Sequence, residues 1–305
     1  MKTKYFEIMP ILLFGILTMP TLSAEEKTPE KEKYLLRYTF HENLELRWNV
    51  RQKVTMTTSI QGNVDIVEST SRSTKLWKLI DLTKDGTATF EYQVENVAMR
   101  QSRIVGERAK IDEYDSRKDE NIPGAFITLE GTIGVPLARI TVDRLGKTTK
   151  KPLREYRDSE NTENRIVVLL PEHPVAAGEY WDDFQNIDIQ KPDGTVKKIK
   201  LRRRYTLESV QTGLARIKYD TQVQTVLTPR EQYGIIDKYV KGSIEIDLDA
   251  GHFIRQKIEV DKSIVGFQGA NDSVHQLTHL TECSCGLKSC EVCNEEEKRS
   301  KEIKE

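Results

Sequence analysis

The chain carries one strand–turn–strand pattern twice, and this repetition constrains its fold more than any other feature. The later copy is Tyr205–Val223, YTLESVQTGLARIKYDTQV, and the earlier is Trp77–Val94, WKLIDLTKDGTATFEYQV. Trp77, Leu79 and Leu82 align with Tyr205, Leu207 and Val210. One residue drops out in the turn, so that Gly86 meets Gly213; Ala88, Phe90 and Tyr92 then meet Ala215, Ile217 and Tyr219. A length change confined to the turn keeps the strand faces in phase, because side chains alternate with a period of two. The apolar residues of each copy therefore share one face, and the pattern predicts antiparallel hairpins.

The rest of the chain reads in the same way. Leu44, Leu46 and Trp48 alternate with Glu45, Arg47 and Asn49. Val50–Ile60 and Asn63–Thr74 predict a long hairpin about Gly62-Asn63. Ile140–Thr148 and Gly242–Val260 predict two further hairpins, one ending each half, the second turning at Ala250-Gly251. In that second hairpin the alternation sets Phe253 on the face opposite Ile254, Ile258 and Val260. Tyr34–Phe40 is expected as the first strand. Met99–Asp119 is charged and irregular, and the Pro and Gly of 121–139 allow a short helix at most. The expected fold class is mainly β: an antiparallel meander of two related halves, 34–153 and 165–281, forming a curved sheet, sandwich or barrel-like unit with little helix.

Composition agrees with sheets that are wet on one face. Of 305 residues, 37% are hydrophobic and 31% charged, which suits half-buried strands. A net charge of -1 argues against a nucleic-acid partner, which calls for a basic excess. At the N-terminus, Lys2 and Lys4 precede the apolar run Ile8–Leu17, and Leu22-Ser23-Ala24 offers a cut before Glu25. This is the layout of a secretory signal peptide over 1–24. The run is short for a bilayer, so no transmembrane segment is expected after cleavage. The mature chain is expected in the periplasm, in the cell envelope or secreted. Residues 25–33, EEKTPEKEK, predict a charged, disordered lead-in.

Chemistry-bearing residues are sparse. Cys283, Cys285, Cys290 and Cys293 follow a C-x-C-x4-C-x-x-C spacing in a charged tail, 282–305. Four sulfurs this close can hold a metal ion. In an exported chain they more often form disulfides, here pairing Cys283 and Cys285 each with Cys290 or Cys293; redox or intermolecular pairing is a third outcome. His275 and His279 lie on one face of a strand beside this tail, as surface residues or as an extension of a metal site. Asp182 and Asp183 are adjacent and so point to opposite faces of a strand, which suits solvated acids better than a paired catalytic site. No G-x-S-x-G, H-E-x-x-H or phosphate loop is present; no catalytic residue and no cofactor is predicted. Trp48, Trp77 and Trp181, with Tyr92, Tyr205 and Tyr219, are expected to pack on the sheet face.

Leu170–Trp181, LPEHPVAAGEYW, with the Y-x-L…G-x-A-x-I-x-Y hairpin after it, resembles an uncharacterised family of exported bacterial β-rich proteins. That family shares an LP-x-x-PV-x-x-G-x-x-W segment, and the resemblance covers residues 34–281. It implies export and a β-rich fold, and it carries no activity and no site residues. The functional expectation is a non-enzymatic exported β-protein that binds a ligand, a hydrophobic one included, or a partner in the cell envelope. One alternative is an envelope structural protein joining partners through edge strands or the Cys tail. Another is an exported hydrolase, which would need His173 beside Asp182 or Asp183.

Overall fold

The computed structural model describes residues 31–106, 108–153, 167–191, 194–287 and 290–302. The expected signal peptide, most of the charged lead-in and the boundary between the halves at 154–164 lie outside the described residues. The strands are β1 (Lys33–Tyr34), β2 (Glu45–Ile60), β3 (Asn63–Leu82), β4 (Ala88–Val105), β5 (Arg108–Asp115), β6 (Pro136–Val142), β7 (Thr148–Pro152), β8 (Val175–Ala176), β9 (Tyr180–Gln190), β10 (Val196–Gln211), β11 (Leu214–Val223), β12 (Val240–Asp247), β13 (His252–Val265) and β14 (Ser273–Ser284). Two short helices, α1 (Pro229–Gly234) and α2 (Glu291–Glu302), join them. Twelve strands form one antiparallel meander in the order β7-β6-β4-β3-β2-β14-β13-β12-β11-β10-β9, with β5 paired to β4. The sheet is open, not a barrel; β9 is one edge, and β7 and β5 share the other. Strands β1 and β8 pair apart from it.

The two hairpins expected from the sequence are present, and their ladders correspond pair by pair. Trp77 faces Tyr92, Leu79 faces Phe90 and Leu82 faces Ala88. In the later hairpin Tyr205 faces Tyr219, Leu207 faces Ile217 and Val210 faces Ala215. Both ladders slip by one residue at the same place, at Ile80 and at Glu208. The next strand continues the match. Ala138 lies opposite Tyr92 in β6, and Gly242 lies opposite Tyr219 in β12, so a small residue makes room for each ring. The halves join where β14 pairs with β2 over twelve residue pairs, from Ser273↔Ser59 to Ser284↔Trp48.

One face of this sheet carries the core. Gln52 on β2 and Arg203 on β10 stand five strands apart, roughly 24 Å in a flat sheet. Both line a single cavity of about 170 Å³, so the sheet is strongly curved and the core fills its inner face. Trp48 stacks on Phe253 at 4.7 Å and meets Trp77 edge-on at 5.3 Å. Two segments plug the space in front of them. Leu36 and Tyr38 come from one, and Val167, Val168 and Leu170 from the other; all are buried. Their backbones bond to hairpin tips: Tyr38 N–H to the Arg144 carbonyl, Thr39 N–H to Gly251, Leu170 N–H to Leu145. The Tyr38 hydroxyl ties the two segments together through Val168 O and N, 3.2 Å each. Of the expected first strand, Tyr34–Phe40, only Tyr34 is therefore paired as strand, because Tyr38 and Thr39 satisfy their amides at turns instead of in a ladder.

Other differences have local causes. The hairpin β2–β3 turns on Gln61-Gly62, both with positive φ, the two-residue geometry that matches strand twist. Met99–Asp119 is not irregular: β4 runs on to Val105 and β5 pairs with it, their acids and bases forming cross-strand pairs such as Arg100–Glu113 at 2.7 Å. Ile254 is an extra residue between the Glu245↔Arg255 and Ile246↔Phe253 pairs. This bulge shifts the alternation by one and brings Phe253 to the inner face with Ile258 and Val260, correcting the expected opposite placement. The sheet also runs past residue 281. Glu282 and Cys283 are buried in β14, and α2 lies over β14 and β2, its Glu295 paired to Arg51 and Arg72.

Gly146 tests the plug. Its φ is +83°, and a Cβ there would sit 2.4 Å from the Val168 carbonyl oxygen and 2.9 Å from the Tyr38 ring. Gly62 has a similar φ of +82° with nothing within 4 Å. Denaturant titration should show Gly62→Ala losing roughly 1–2 kcal/mol, the cost of left-handed backbone alone. Gly146→Ala should lose about 3 kcal/mol or more, because backbone must move. Equal losses would contradict the packing described.

Candidate functional site

Alternation puts every second residue of each strand on the inner face, and most of these are apolar. On β10 they are Ile199, Leu201, Arg203, Tyr205 and Leu207, all buried. Arg203 is the exception in chemistry, at 5% exposed. On the neighbouring strands Gln256, Gln276 and Thr278 are buried as well. Burying such groups is costly unless they are bonded, so their convergence on one cavity of an otherwise apolar face marks a candidate site.

These residues surround the cavity of about 170 Å³, whose walls are seven polar side chains (Gln52, Arg203, Tyr219, Asp237, Gln256, Gln276, Thr278) and six apolar ones. The apolar walls include Val54, Ile258, Val260 and Leu280, with Val168 of the plug on the same lining. Asp237 belongs to a short 3-10 turn, Ile236–Lys238, and pairs with Lys238 at 3.0 Å. A cross-strand row, Tyr205, Tyr219, Gly242, Ile258, Leu280 and Gln52, crosses the cavity wall. Gly242 is the gap in it. A Cβ at that position would fall 2.7 Å from the Tyr219 hydroxyl, so the glycine lets the tyrosine lie across its neighbour strand. There the hydroxyl accepts from Gln256 Nε2 at 3.1 Å. Gln276 Nε2 donates to Thr278 Oγ1 at 3.2 Å. Arg203 donates through Nε to Thr221 Oγ1 at 2.9 Å and lies 5.6 Å from the Tyr219 ring centroid. Asp183 stands directly across the ladder from it.

The first half has a counterpart. Lys75 precedes Trp77 by two residues, as Arg203 precedes Tyr205, and its ammonium lies 3.5 Å from Glu282. Burial works to lower the Lys75 pKa, but the Glu282 carboxylate and Tyr92 outweigh it, and the group is held above its ordinary value.

The residues singled out from the sequence are placed as follows. Cys283 and Cys290 form a disulfide, one of the cross-pairings expected, while Cys285 is exposed and Cys293 buried; the Cys293 thiol donates to Ser284 O. Two of the four sulfurs are thus joined to each other, and among the described residues no group of three or more His, Cys, Asp or Glu is arranged around a metal position. His275 bonds Asp261 at 2.9 Å on the outer face. Asp182 accepts two bonds from Arg204, at 2.8 and 2.9 Å; the guanidinium holds its carboxyl below the usual range. His173 is exposed in the loop before β8. The three tryptophans are buried on the inner face, as expected of packing residues. Trp181 donates to the Leu169 carbonyl at 2.7 Å, which fastens the LPEHPVAAGEYW segment to the plug. Sequence reasoning missed Arg203, Gln256, Gln276 and Thr278. Their signal was present, as polar residues at apolar positions of a period-two run.

Compared with known proteins, the chain matches no protein-family model and no curated protein. The site is therefore read from its own geometry.

The Lys75–Glu282 pair gives a pH test. A raised lysine pKa contributes stability that is fully present below about pH 10.4, the unfolded value, and lost as pH climbs through the higher folded value. Glu282→Gln should cost about 2 kcal/mol at pH 7, since it leaves a poorly solvated ammonium without its counter-charge. In urea titrations the gap to wild type should close above pH 11. A constant gap across that range would refute the pairing.

Proposed function

We propose that this is a non-enzymatic exported β-protein whose curved inner face binds a small ligand. The observation that carries the reading is the cavity, walled by seven polar and six apolar residues where the inner face buries Arg203, Gln256 and Gln276. Structural cores of this kind are normally filled with apolar groups; a mainly apolar space with a few convergent polar groups is the ordinary form of a binding pocket. Its volume argues for a small molecule over a lipid, since pockets for larger ligands run from roughly 300 Å³ upward. Export is supported by the signal-peptide layout of residues 1–24 and by the disulfide, which persists best in oxidising compartments. The shared ladder registers of the two halves support descent from one duplicated unit.

Native mass spectrometry of the gently purified mature protein tests this. A bound small molecule is expected on wild type and not on Val260→Trp, in which the indole would fill the space. Bare wild-type protein with an experimentally collapsed cavity would overturn the reading.

A second reading, an envelope partner docked on a sheet edge, is favoured by the contrast between the edges. Edge β7 is only five residues long, and a very short edge strand offers little for strand addition. Edge β9 is eleven residues long with no Lys, Arg or Pro, and Tyr180 and Phe184 on it are exposed. Strand addition there should be lost in Asp188→Pro, because the Asp188 amide points away from β10 and toward the open edge. Monomers alone in wild-type envelope extracts would count against it.

A further inference from the structure

We infer that the ligand of this cavity is a small carboxylate on a compact apolar body, about the size of one aromatic ring. The inference rests on the ligand-binding reading above and goes on to the chemistry of what is bound. Size comes first. A void of about 150 Å³ takes a benzene-sized molecule, and this one is about 170 Å³. An extended acyl chain or a nucleotide does not fit.

Chemistry comes second. The lining is rich in donors: the guanidinium of Arg203, the amides of Gln52, Gln256 and Gln276, and the hydroxyls of Thr278 and Tyr219. A guanidinium offers five N–H donors and no acceptor. The one lining group that only accepts is the Asp237 carboxylate, and Lys238 is paired with it. Asp183 lies across the ladder from Arg203 and takes a bond from Gln185 at 2.7 Å; a planar guanidinium has donors enough to serve more than one carboxylate. A cationic ligand would meet Arg203 in a weakly screened space and is disfavoured. Opposite chemistry serves the body of the ligand, because Val54, Val240, Ile258, Val260 and Leu280 offer only apolar contact.

The test uses the full mature chain with its disulfide intact and three probes at pH 7: benzoate, benzyl alcohol and palmitate. Calorimetry should show benzoate binding saturably and at least ten-fold more tightly than benzyl alcohol. Arg203→Gln should weaken benzoate ten-fold or more and leave benzyl alcohol unchanged, while Val260→Trp should abolish both. If Arg203→Gln does not fold, Arg203→Lys keeps the charge without the two-pronged geometry, and benzoate should still weaken about ten-fold. Equal binding of benzoate and benzyl alcohol, or indifference to Arg203, would overturn the carboxylate assignment. Palmitate binding more tightly than benzoate would overturn the size assignment. If none of the three binds, the inference falls; a copurified molecule of another class in native mass spectra would then leave the wider ligand-binding reading standing.

Discussion

The ladder between β14 and β2 is the constraint on which the rest of the structure depends. These strands are far apart in sequence, and their twelve paired positions turn two meanders into one sheet. Without that seam each half would expose a long edge, with its unpaired amides and carbonyls. With it, the inner face becomes continuous and curved enough that β2 and β10 line the same cavity. Closing so long a loop costs chain entropy, and what offsets it is the buried inner face: Trp48, Phe253, Trp77 and Phe90 from strands of both halves form one cluster with Tyr38 and Val168 of the plug.

The plug explains the unequal character of the inner face. Toward the hairpin tips, Leu36, Tyr38, Val168 and Leu170 fill the trough, and the side chains behind them are fully apolar or aromatic. Further along, the plug stops and the inner face turns polar, with Arg203, Gln256, Gln276 and Thr278 buried. At the far end Ile236, Ile264, Phe267 and Val274 close a separate apolar cluster. A polar stretch between two apolar clusters costs stability, and its hydrogen bonds only partly offset that cost. The proposed ligand gives this arrangement a use.

Much of the architecture was legible in the sequence because alternation is a local signal. Trp77–Val94 and Tyr205–Val223 could be aligned residue by residue, and their ladders pair as that alignment requires. What was not legible depended on single-residue irregularities or on contacts between distant segments. The bulge at Ile254 reversed the face of Phe253, and no composition signal marks it. Residues 35–40 looked like strand, yet their amides bond to turns more than a hundred positions away. The helix α1 was readable and overlooked: Thr228, Pro229 and Glu231 form a capping box with Pro at its start, a recognised signature. For the site, Arg203 was visible as a charge inside an apolar period. Its convergence with Gln276 and Thr278 was not, because the seam that brings β14 beside β2 leaves no trace in either strand alone.

Differential scanning calorimetry of the mature, disulfide-intact protein tests the central claim most directly, that the seam and plug make both halves one cooperative unit. The account predicts a single reversible transition whose calorimetric and van't Hoff enthalpies agree. Two resolved transitions, or a calorimetric enthalpy about twice the van't Hoff value, would show that the halves unfold independently and would contradict it.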